Sequence, residues 1–395
     1  MPMTKHGYPQ LLLLLLSFIT TLQVQAQEVV ADSADIIMPE GMTAEMDSLL
    51  MEWTNRNYLI PEGDCTETGV NPEFDKETFV RRLSHLPNTI EMPYNNIVRQ
   101  YIDRYMGRLR RSVAIMLGSS NFYNPIFEEA LEAYQVPLEL KYLPVIESAL
   151  NPTAVSRAGA VGLWQFMITT GKQYGLEVTS LVDERRDPVK ASYAAAHYLR
   201  DLYNIFGDWT LAIASYNCGP GNVRKAISRA GGAKDYWAIY PYLPAETRGY
   251  VPAFIAANYA MNYYCDHNIC PIGTTLPANT DTVRVLRNLH IDQIVAVCNV
   301  KAEEVRALNP EYRTDLIPGE SRVCMLRLPL PAIAAFIESG DSVYNYRATE
   351  LMTSRAEVEV AQPVATARRS AARSRSRSAT RSRSASRSRS RRRRR

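Results

Sequence analysis

Beyond its N-terminal region, the sequence lacks any long apolar run. No later stretch approaches the ~20 residues that a membrane-spanning helix needs, so a multi-pass membrane protein is excluded. Histidine and cysteine are also scarce, at five and six of 395 residues. They form no Cys-x-x-Cys pair and no cluster with the spacing of a zinc site. We therefore expect no structural metal and no cofactor.

Acidic residues are absent from the C-terminal tail. Residues 368–395 contain 14 arginines, which leaves 31 basic against 41 acidic residues in the rest of the chain, a net charge of −10. The tail has no large apolar side chain and its charges repel one another, so it cannot form a core. We predict that residues 331–395 are a linker followed by a disordered Ser/Arg-rich tail. Such a tail attracts anions in general, and we expect no specific nucleic-acid partner.

The first 26 residues have the pattern of a secretory signal peptide. Lys5 and His6 precede the apolar run 11–19, and a small-residue cleavage pattern ends at Ala26. The alternative is a permanent N-terminal anchor, which the shortness of the run disfavours. We expect residues 1–26 to be removed and the chain to be exported.

Export would place the six cysteines in an oxidising compartment, where an even number can pair. Cys265 and Cys270 are close in sequence, and Cys298 and Cys324 fall in one short segment. These are our two candidate disulfides, although spacing alone does not determine connectivity.

Helical periodicity dominates the middle of the chain, and no alternating strand pattern occurs between residues 95 and 265. This predicts a mainly α protein, with an all-α domain over 89–272 that follows an N-terminal linker at 27–88. Such a domain is long enough to bury its own core. The predicted helices cover 95–116, 123–134, 137–148, 189–206, 209–216, 223–229 and 251–264.

The pattern changes after residue 280. Short strands at 283–286 and 323–328 flank two short helices at 291–298 and 302–309. This order predicts a small β-α-α-β module over residues 281–330.

One glutamate has an unusual predicted environment. Glu147 lies near the C-terminus of a predicted helix, within the segment LPVIESALNP at 143–152. Apolar neighbours and the negative end of the helix dipole both disfavour its anion, which raises a carboxyl pKa. A raised pKa suits a general acid near neutral pH, whereas the alternative is an ordinary, partly exposed side chain.

Three further segments follow this glutamate in order. They are SRAGAVGLWQF at 156–166, SYNCGPGNV at 215–223 and ETRGYVPAF at 246–254. Flat aromatic faces together with amides are what a sugar-binding groove requires. In this order and spacing, the four segments resemble the Slt-type lytic transglycosylases, whose fold is related to goose-type lysozyme. Within that family they are most similar to the membrane-bound subgroup D.

The resemblance implies a role for individual residues. Glu147 matches the catalytic acid/base, and Ser156 matches a serine that contacts the substrate N-acetyl group. Tyr250 matches a tyrosine that reaches toward the catalytic carboxyl, and Cys218 departs from the usual Ala or Ser. The expected substrate-binding residues are Ser156, Gln165, Met167, Tyr216, Asn217 and Tyr250.

The implied reaction needs one carboxylate rather than two. Glycosidases usually pair two carboxylates, but the only other acids near the motifs are Glu246 and Asp187, which we interpret as structural. The resemblance implies cleavage of the MurNAc-GlcNAc β-1,4 bond with formation of a 1,6-anhydroMurNAc end. The alternatives are a non-catalytic peptidoglycan-binding scaffold and a muramidase that uses water.

Residues 281–330 resemble a LysM module, a peptidoglycan-binding fold. The matching pieces are Leu-Asn-Pro at 308–310 and Leu-Ile-Pro-Gly-Glu at 316–320, whereas Arg-Asn-Leu-His at 287–290 replaces the usual Gly-Asp-Thr-Leu turn. Both glycan attachment and a purely structural role stay open for this module. The expected partners are peptidoglycan glycan strands and, through the Arg-rich tail, an anionic envelope surface. The expected location is the periplasm or cell envelope.

Overall fold

The computed structural model describes residues 70–274, 276–277, 279–352 and 357–360, together with Pro39, Met42, Ile60 and Pro61. The expected signal peptide, most of the expected N-terminal linker and the Arg-rich tail lie outside these residues. Among the helices in the described ranges, none is long and apolar enough to cross a bilayer.

The first domain is helical, as the periodicity predicts. Short 3-10 turns at Leu138–Tyr142, Tyr240–Tyr242 and Cys265–His267 connect some of its helices. Its helices are α1 Lys76–His85, α2 Asn96–Met106, α3 Arg110–Ala133, α4 Leu143–Ser148, α5 Ile168–Gln173, α6 Pro188–Phe206, α7 Trp209–Cys218, α8 Pro220–Arg229, α9 Tyr236–Ile239 and α10 Ala245–Tyr263.

Aspartate and asparagine caps set where several of these helices begin. The side chain of Asn95 accepts a hydrogen bond from the Val98 amide at 2.9 Å, at the start of α2. Asp187 accepts from the amides of Val189 and Lys190, and Pro188 follows it as the first residue of α6. Such caps satisfy amides that have no partner within the helix.

The break between α2 and α3 is not where the sequence pattern placed it. One helix was predicted over 95–116 and another over 123–134, but the chain breaks at 107–109 and α3 then continues through Pro125. A proline inside a helix costs about 3 kcal/mol. Burial of Tyr123, Phe127 and Leu131 on one face of α3 outweighs that cost.

One hydrophobic core holds the helical domain together. Helix α10 packs against α2, α4 and α7, while α6 packs against α3 and α7. The core includes fully buried Tyr101, Trp164 and Phe254. This packing places the end of α4, which carries Glu147, beside the first half of α10, which carries Tyr250.

Part of the expected N-terminal linker belongs to this domain. The linker was expected to extend to residue 88, but α1 begins at Lys76 and buries Phe79 and Leu83 in the core. Arg82 also donates a hydrogen bond to the Tyr259 hydroxyl on α10 at 2.7 Å. The boundary prediction missed α1 because only two of its residues are buried, so its apolar stripe is narrow.

The C-terminal module has the predicted β-α-α-β core with two additional strands. Strands β3 and β6 pair antiparallel from Thr280 with Pro329 to Val285 with Cys324, and β4 pairs with β5. The elements of this module are β3 Thr280–Val285, β4 Asn288–His290, α11 Ile291–Cys298, α12 Ala302–Leu308, β5 Leu316–Pro318 and β6 Cys324–Pro329. Outside the module, a two-residue strand β1 Ile60–Pro61 pairs with β2 Ile272–Gly273.

The linker predicted from residue 331 onward is wrong over its first part. Helices α13 Leu330–Ser339, α14 Ser342–Asn345 and α15 Ala348–Leu351 follow β6 directly. Helix α13 packs against β3, β6 and α11, and it contributes Ile333 and Phe336 to the second core. The helix therefore packs on the β3–β6 pair.

Neither candidate disulfide forms. Cys265, Cys298 and Cys324 are free thiols, whereas Cys270 is disulfide-bonded. Cys298 and Cys324 are both buried in the second core, and burial raises the pKa of each thiol to about 11. Closeness in sequence was therefore a poor guide to pairing.

The two domains meet beside the N-terminus of α6. The first turn of α6 lines a cavity together with residues of the C-terminal module, among them Glu311 and Arg327. Glu311 is only 8% exposed. Burial, reinforced by the nearby Asp187 carboxylate, raises the pKa of Glu311 well above its ordinary value of 4.5.

We predict that Glu311→Gln stabilises the protein more at pH 8 than at pH 4. Because its pKa is higher in the folded state, Glu311 lowers the free energy of unfolding as pH rises above 4.5. Removing the buried charge should raise that free energy by about 1–3 kcal/mol at pH 8. Urea unfolding of the full chain at both pH values measures the difference. Glu303→Gln, an exposed carboxylate on α12, is the matched control, and an equal effect of both variants would contradict the prediction.

Candidate functional site

Glu147 lies at the end of a short helix that is otherwise buried. Helix α4 places Leu143, Val145 and Ile146 in the core and leaves Glu147 half-buried at its second-last position. The first residue after the helix, Ala149, has φ 49°, a left-handed conformation that ends the helix abruptly. The carboxylate therefore has the position at a helix C-terminus that the sequence predicted.

Ser148 connects this helix to the glycine-rich segment. Its fully buried hydroxyl lies 3.1 Å from the Pro144 carbonyl oxygen and 2.9 Å from the Leu163 carbonyl oxygen. The second contact crosses to the loop 154–166. Sequence reasoning did not single out Ser148, although its place directly after Glu147 was the available signal.

The loop 154–166 is held by its own backbone. The Ser156 amide donates to the Ala160 carbonyl, and the Ala160 amide donates to the Ser156 hydroxyl oxygen, both at 2.9 Å. Gly162 has φ 89°, and a Cβ there would lie 1.8 Å from the Arg185 carbonyl oxygen. Only glycine fits at this position, because it tolerates both the conformation and the close approach.

Gln165 combines strain with an unsatisfied acceptor. Its φ is 48°, and its Nε2 donates to the Gly162 carbonyl at 2.7 Å. The residue is only 9% exposed, and its buried Oε1 accepts no hydrogen bond from a described residue. An unpaired buried acceptor costs free energy unless a ligand N–H or O–H satisfies it.

Helix α7 supplies Tyr216 and Asn217. The Tyr216 hydroxyl donates to the Trp164 carbonyl at 2.8 Å, which ties α7 to the loop. The Thr247 hydroxyl donates to Asn217 Oδ1 at 2.8 Å. The Asn217 Nδ2 group donates to no described residue, so it can donate to a ligand.

Tyr250 contacts Glu147 directly. Its hydroxyl donates a hydrogen bond to Glu147 Oε1 from α10. Burial, together with the neighbouring Glu147 carboxylate, raises the pKa of Tyr250 well above its ordinary value of 10.0. Tyr250 therefore stays protonated, and it acts as a donor to the carboxylate rather than as a base.

Glu147, Ser156, Gln165, Tyr216, Asn217 and Tyr250 line one cleft that opens to solvent. Every residue predicted to act in catalysis or substrate binding is in its lining. Sequence reasoning missed Tyr198 and Thr170, since neither belongs to a recognised motif. The complete lining is Glu147, Ser156, Ala158, Ala160, Gln165, Phe166, Met167, Thr170, Tyr198, Tyr216, Asn217, Glu246 and Tyr250.

The two acids that we interpreted as structural differ in position. Asp187 caps α6 and lies at the domain interface rather than in this cleft. Glu246, by contrast, lines the cleft with an exposed side chain, so a second carboxylate is present there. Among the described residues, no group of three or more His, Cys, Asp or Glu side chains could hold a metal ion.

Comparison with known proteins identifies two domains in the chain. Residues 124–239 match the family model of the transglycosylase SLT domain. Residues 279–345 match the LysM-like domain of the lytic transglycosylase MltD. The chain thus carries a region of the transglycosylase SLT-domain class, followed by a LysM-like region.

Within that class, the chain is similar to membrane-bound lytic murein transglycosylase D of Escherichia coli K12. The two are 34% identical over 213 residues, which are 53% of this chain and 45% of the relative. The soluble lytic murein transglycosylase of the same strain is 32% identical over 151 residues, 36% of this chain and 23% of that one. The chain thus matches less than half the length of these curated relatives.

The chain is also similar to a solved structure, the crystal structure of the 70-kDa soluble lytic transglycosylase from Escherichia coli. Its TM-score with this chain is 0.32 at 31% sequence identity, and the match covers 36% of this chain and 24% of that chain.

We predict that Ser148→Ala lowers the free energy of unfolding by about 1–3 kcal/mol, because the buried Leu163 carbonyl loses its donor. Urea unfolding of the full chain measures the change. Ser84→Ala, which removes an exposed hydroxyl on α1, is the matched control. Equal stability of the two variants would show that Ser148 does not hold the loop against α4.

Proposed function

We propose that the protein is a peptidoglycan lytic transglycosylase. It cleaves the β-1,4 bond between N-acetylmuramic acid (MurNAc) and N-acetylglucosamine (GlcNAc), and it leaves a 1,6-anhydroMurNAc end. The observation that carries this proposal is the Glu147 carboxylate, which receives a hydrogen bond from Tyr250 in a cleft lined by the four motifs. The SLT domain match and the similarity to lytic murein transglycosylases support it.

In the first step, Glu147 acts as a general acid. Its carboxyl donates a proton to the glycosidic oxygen, and the bond between that oxygen and C1 of MurNAc breaks. The acetamido group of the same sugar supports the positive charge that develops at C1. The Tyr250 hydroxyl hydrogen-bonds the carboxylate that is left on Glu147.

In the second step, Glu147 acts as a base. Its carboxylate takes the proton of the C6 hydroxyl, whose oxygen bonds to C1 and closes the anhydro ring. The nucleophile belongs to the sugar itself, so the step is intramolecular and needs no positioned water. One carboxylate is therefore sufficient for both steps, and Glu147 ends the cycle protonated.

Polar groups around Glu147 suit an N-acetylated sugar. Gln165 Oε1 offers an unsatisfied acceptor to a substrate N–H or O–H, and Asn217 Nδ2 offers a donor. Ser156 accepts the Ala160 amide, which leaves its hydroxyl hydrogen available to the substrate acetamido oxygen. Met167 and Tyr216 complete the groove, and all of these side chains line the cleft.

The substrate also defines the proposed partner and location. Peptidoglycan glycan strands are the partner, and the LysM-like domain match supports attachment to them. An enzyme that acts on this polymer works in the cell envelope, and we propose export to the periplasm by the N-terminal segment. The Arg-rich tail, for which an anionic envelope partner was expected, lies outside the described residues.

We predict that Glu147→Gln abolishes release of anhydro-muropeptides from purified sacculi, because no other group in the proposed mechanism moves the proton. The loss should be at least about 10²-fold, the lower range for general acid–base catalysis. Mass spectrometry of the soluble products measures it, with folding checked by circular dichroism. Retained release by a folded Glu147→Gln variant would refute the role of Glu147.

Glu246→Gln is the matched comparison, since it makes the same chemical change in the same cleft. A single-carboxylate mechanism predicts that this variant still forms anhydro products. If wild-type products are one water heavier and Glu246→Gln loses activity, the protein is a water-using muramidase with two carboxylates. If the wild-type protein binds sacculi and releases nothing, it is a scaffold.

We predict that Asn217→Asp raises KM at least about tenfold on soluble glycan, because the side chain loses its free donor but can still accept from Thr247. Steady-state kinetics of the folded variant measures the change. Asn222→Asp on α8, an exposed asparagine outside the cleft lining, is the control. An unchanged KM for Asn217→Asp would exclude substrate binding by this amide.

A further inference from the structure

The LysM-like domain contacts a single stretch of the helical domain through backbone hydrogen bonds. We call residues 177–187 the docking segment. Its Asp183 amide donates to the Glu311 carbonyl at 2.9 Å, and the Arg313 amide donates back to the Leu181 carbonyl at 2.8 Å. Backbone pairing of this kind requires a defined register, which a domain on a free tether does not have.

Apolar side chains close the same interface. Leu181 and Val182 of the docking segment form a buried cluster with Leu316 of the LysM-like domain. Leu316 is 8% exposed, and it belongs to this cluster rather than to the core of its own domain. Its burial therefore depends on docking.

Residues 357–360 form hydrogen bonds with both sides of the interface. The Glu357 carboxylate accepts from Thr179 Oγ1 of the docking segment at 2.7 Å and from Arg322 of the LysM-like domain at 2.8 Å. The Ser180 amide donates to the Val358 carbonyl at 2.7 Å. This short stretch, which follows the LysM-like domain in sequence, thus contacts both domains.

The docking segment also contacts the loop 154–166. The Asp183 carboxylate forms two hydrogen bonds with the Arg185 guanidinium, at 2.9 and 2.8 Å, and both side chains are buried. The same guanidinium donates to the carbonyls of Gly159 and Phe166, at 3.2 and 3.1 Å. These carbonyls belong to the loop that carries Ser156 and Gln165.

We propose that the LysM-like domain is a fixed part of the catalytic unit, and that docking positions the loop 154–166 through Asp183 and Arg185. One residue, Asp183, joins the two contacts: its amide bonds the LysM-like domain and its carboxylate orients Arg185. The loop and the docking segment are also in close contact at Gly162, because the Arg185 carbonyl occupies the space of a Cβ there. Asp183 and Arg185 are positioning residues, and neither lines the cleft.

The expected effect on kinetics rests on the proposed function, whereas the expected effect on the position of the loop 154–166 does not. A domain that only tethers the enzyme to the cell wall affects insoluble sacculi and leaves the turnover of a short soluble glycan unchanged. A domain that positions the loop affects both substrates. A displacement of about 1 Å in groups that orient a substrate can cost 10²-fold in rate.

The test compares Leu316→Asp with Leu286→Asp in the full chain. The first variant places a charge in the docking cluster, whereas Leu286 is 57% exposed in the same domain. The readouts are hydrogen exchange of segments 156–166 and 177–187, and kcat and KM on a soluble tetrasaccharide of alternating GlcNAc and MurNAc. Leu316→Met, which keeps the size and polarity of the side chain, should retain wild-type values.

We expect Leu316→Asp to exchange faster in both segments and to lose at least tenfold in kcat/KM, with both controls within twofold of wild type. The inference is overturned if segment 177–187 exchanges faster while segment 156–166 and the tetrasaccharide kinetics stay unchanged. A wild-type enzyme without activity would refute the proposed function, and exchange in segment 156–166 would still decide the inference. If Leu316→Asp does not fold, the double variant Arg313→Ala/Arg322→Ala replaces it, since Arg313 donates to the Thr179 carbonyl and Arg322 to the Glu177 carboxylate of the docking segment.

Discussion

A carboxylate at the C-terminal end of a buried helix needs a hydrogen-bond donor, and in this protein Tyr250 supplies one to Glu147. The helix dipole and the apolar neighbours both oppose the charge, so the donor matters more here than at an exposed glutamate. Burial keeps the phenol protonated, because it raises the pKa of Tyr250 well above 10.0. The contact exists only while α4 packs beside α10, so the main core of the protein determines the chemistry of the cleft.

The cleft departs from ordinary packing at several points. Gln165 is held in a left-handed conformation and keeps an unsatisfied buried acceptor, and Ala149 ends α4 in the same unusual region of φ. Each departure costs stability in the absence of a ligand. Departures of this kind are expected where a site is preorganised for a substrate, because the surrounding core compensates for them.

The docking segment contacts both the LysM-like domain and the loop 154–166. Its Asp183–Arg185 pair is buried, and Arg185 also hydrogen-bonds the backbone of the substrate loop. The Gly159 and Phe166 carbonyls that Arg185 contacts lie 26 and 19 residues away along the chain, and no local pattern records them.

Local chemistry was enough to predict the helical class and the β-α-α-β module, whereas the resemblance of the four motifs to a known family implied the catalytic and substrate-binding residues of the cleft. Helical periodicity depends on which side chains avoid water, so it can be recognised in the sequence alone. The order and spacing of the four motifs can be recognised there as well. The tertiary structure alone decided that α3 runs through Pro125, that α1 and α13 join the two cores, and that Cys265, Cys298 and Cys324 are free. It also decided that Glu246 faces the cleft and that Asp187 lies at the domain interface. These outcomes depend on contacts between residues far apart in sequence, whose burial outweighs local preference.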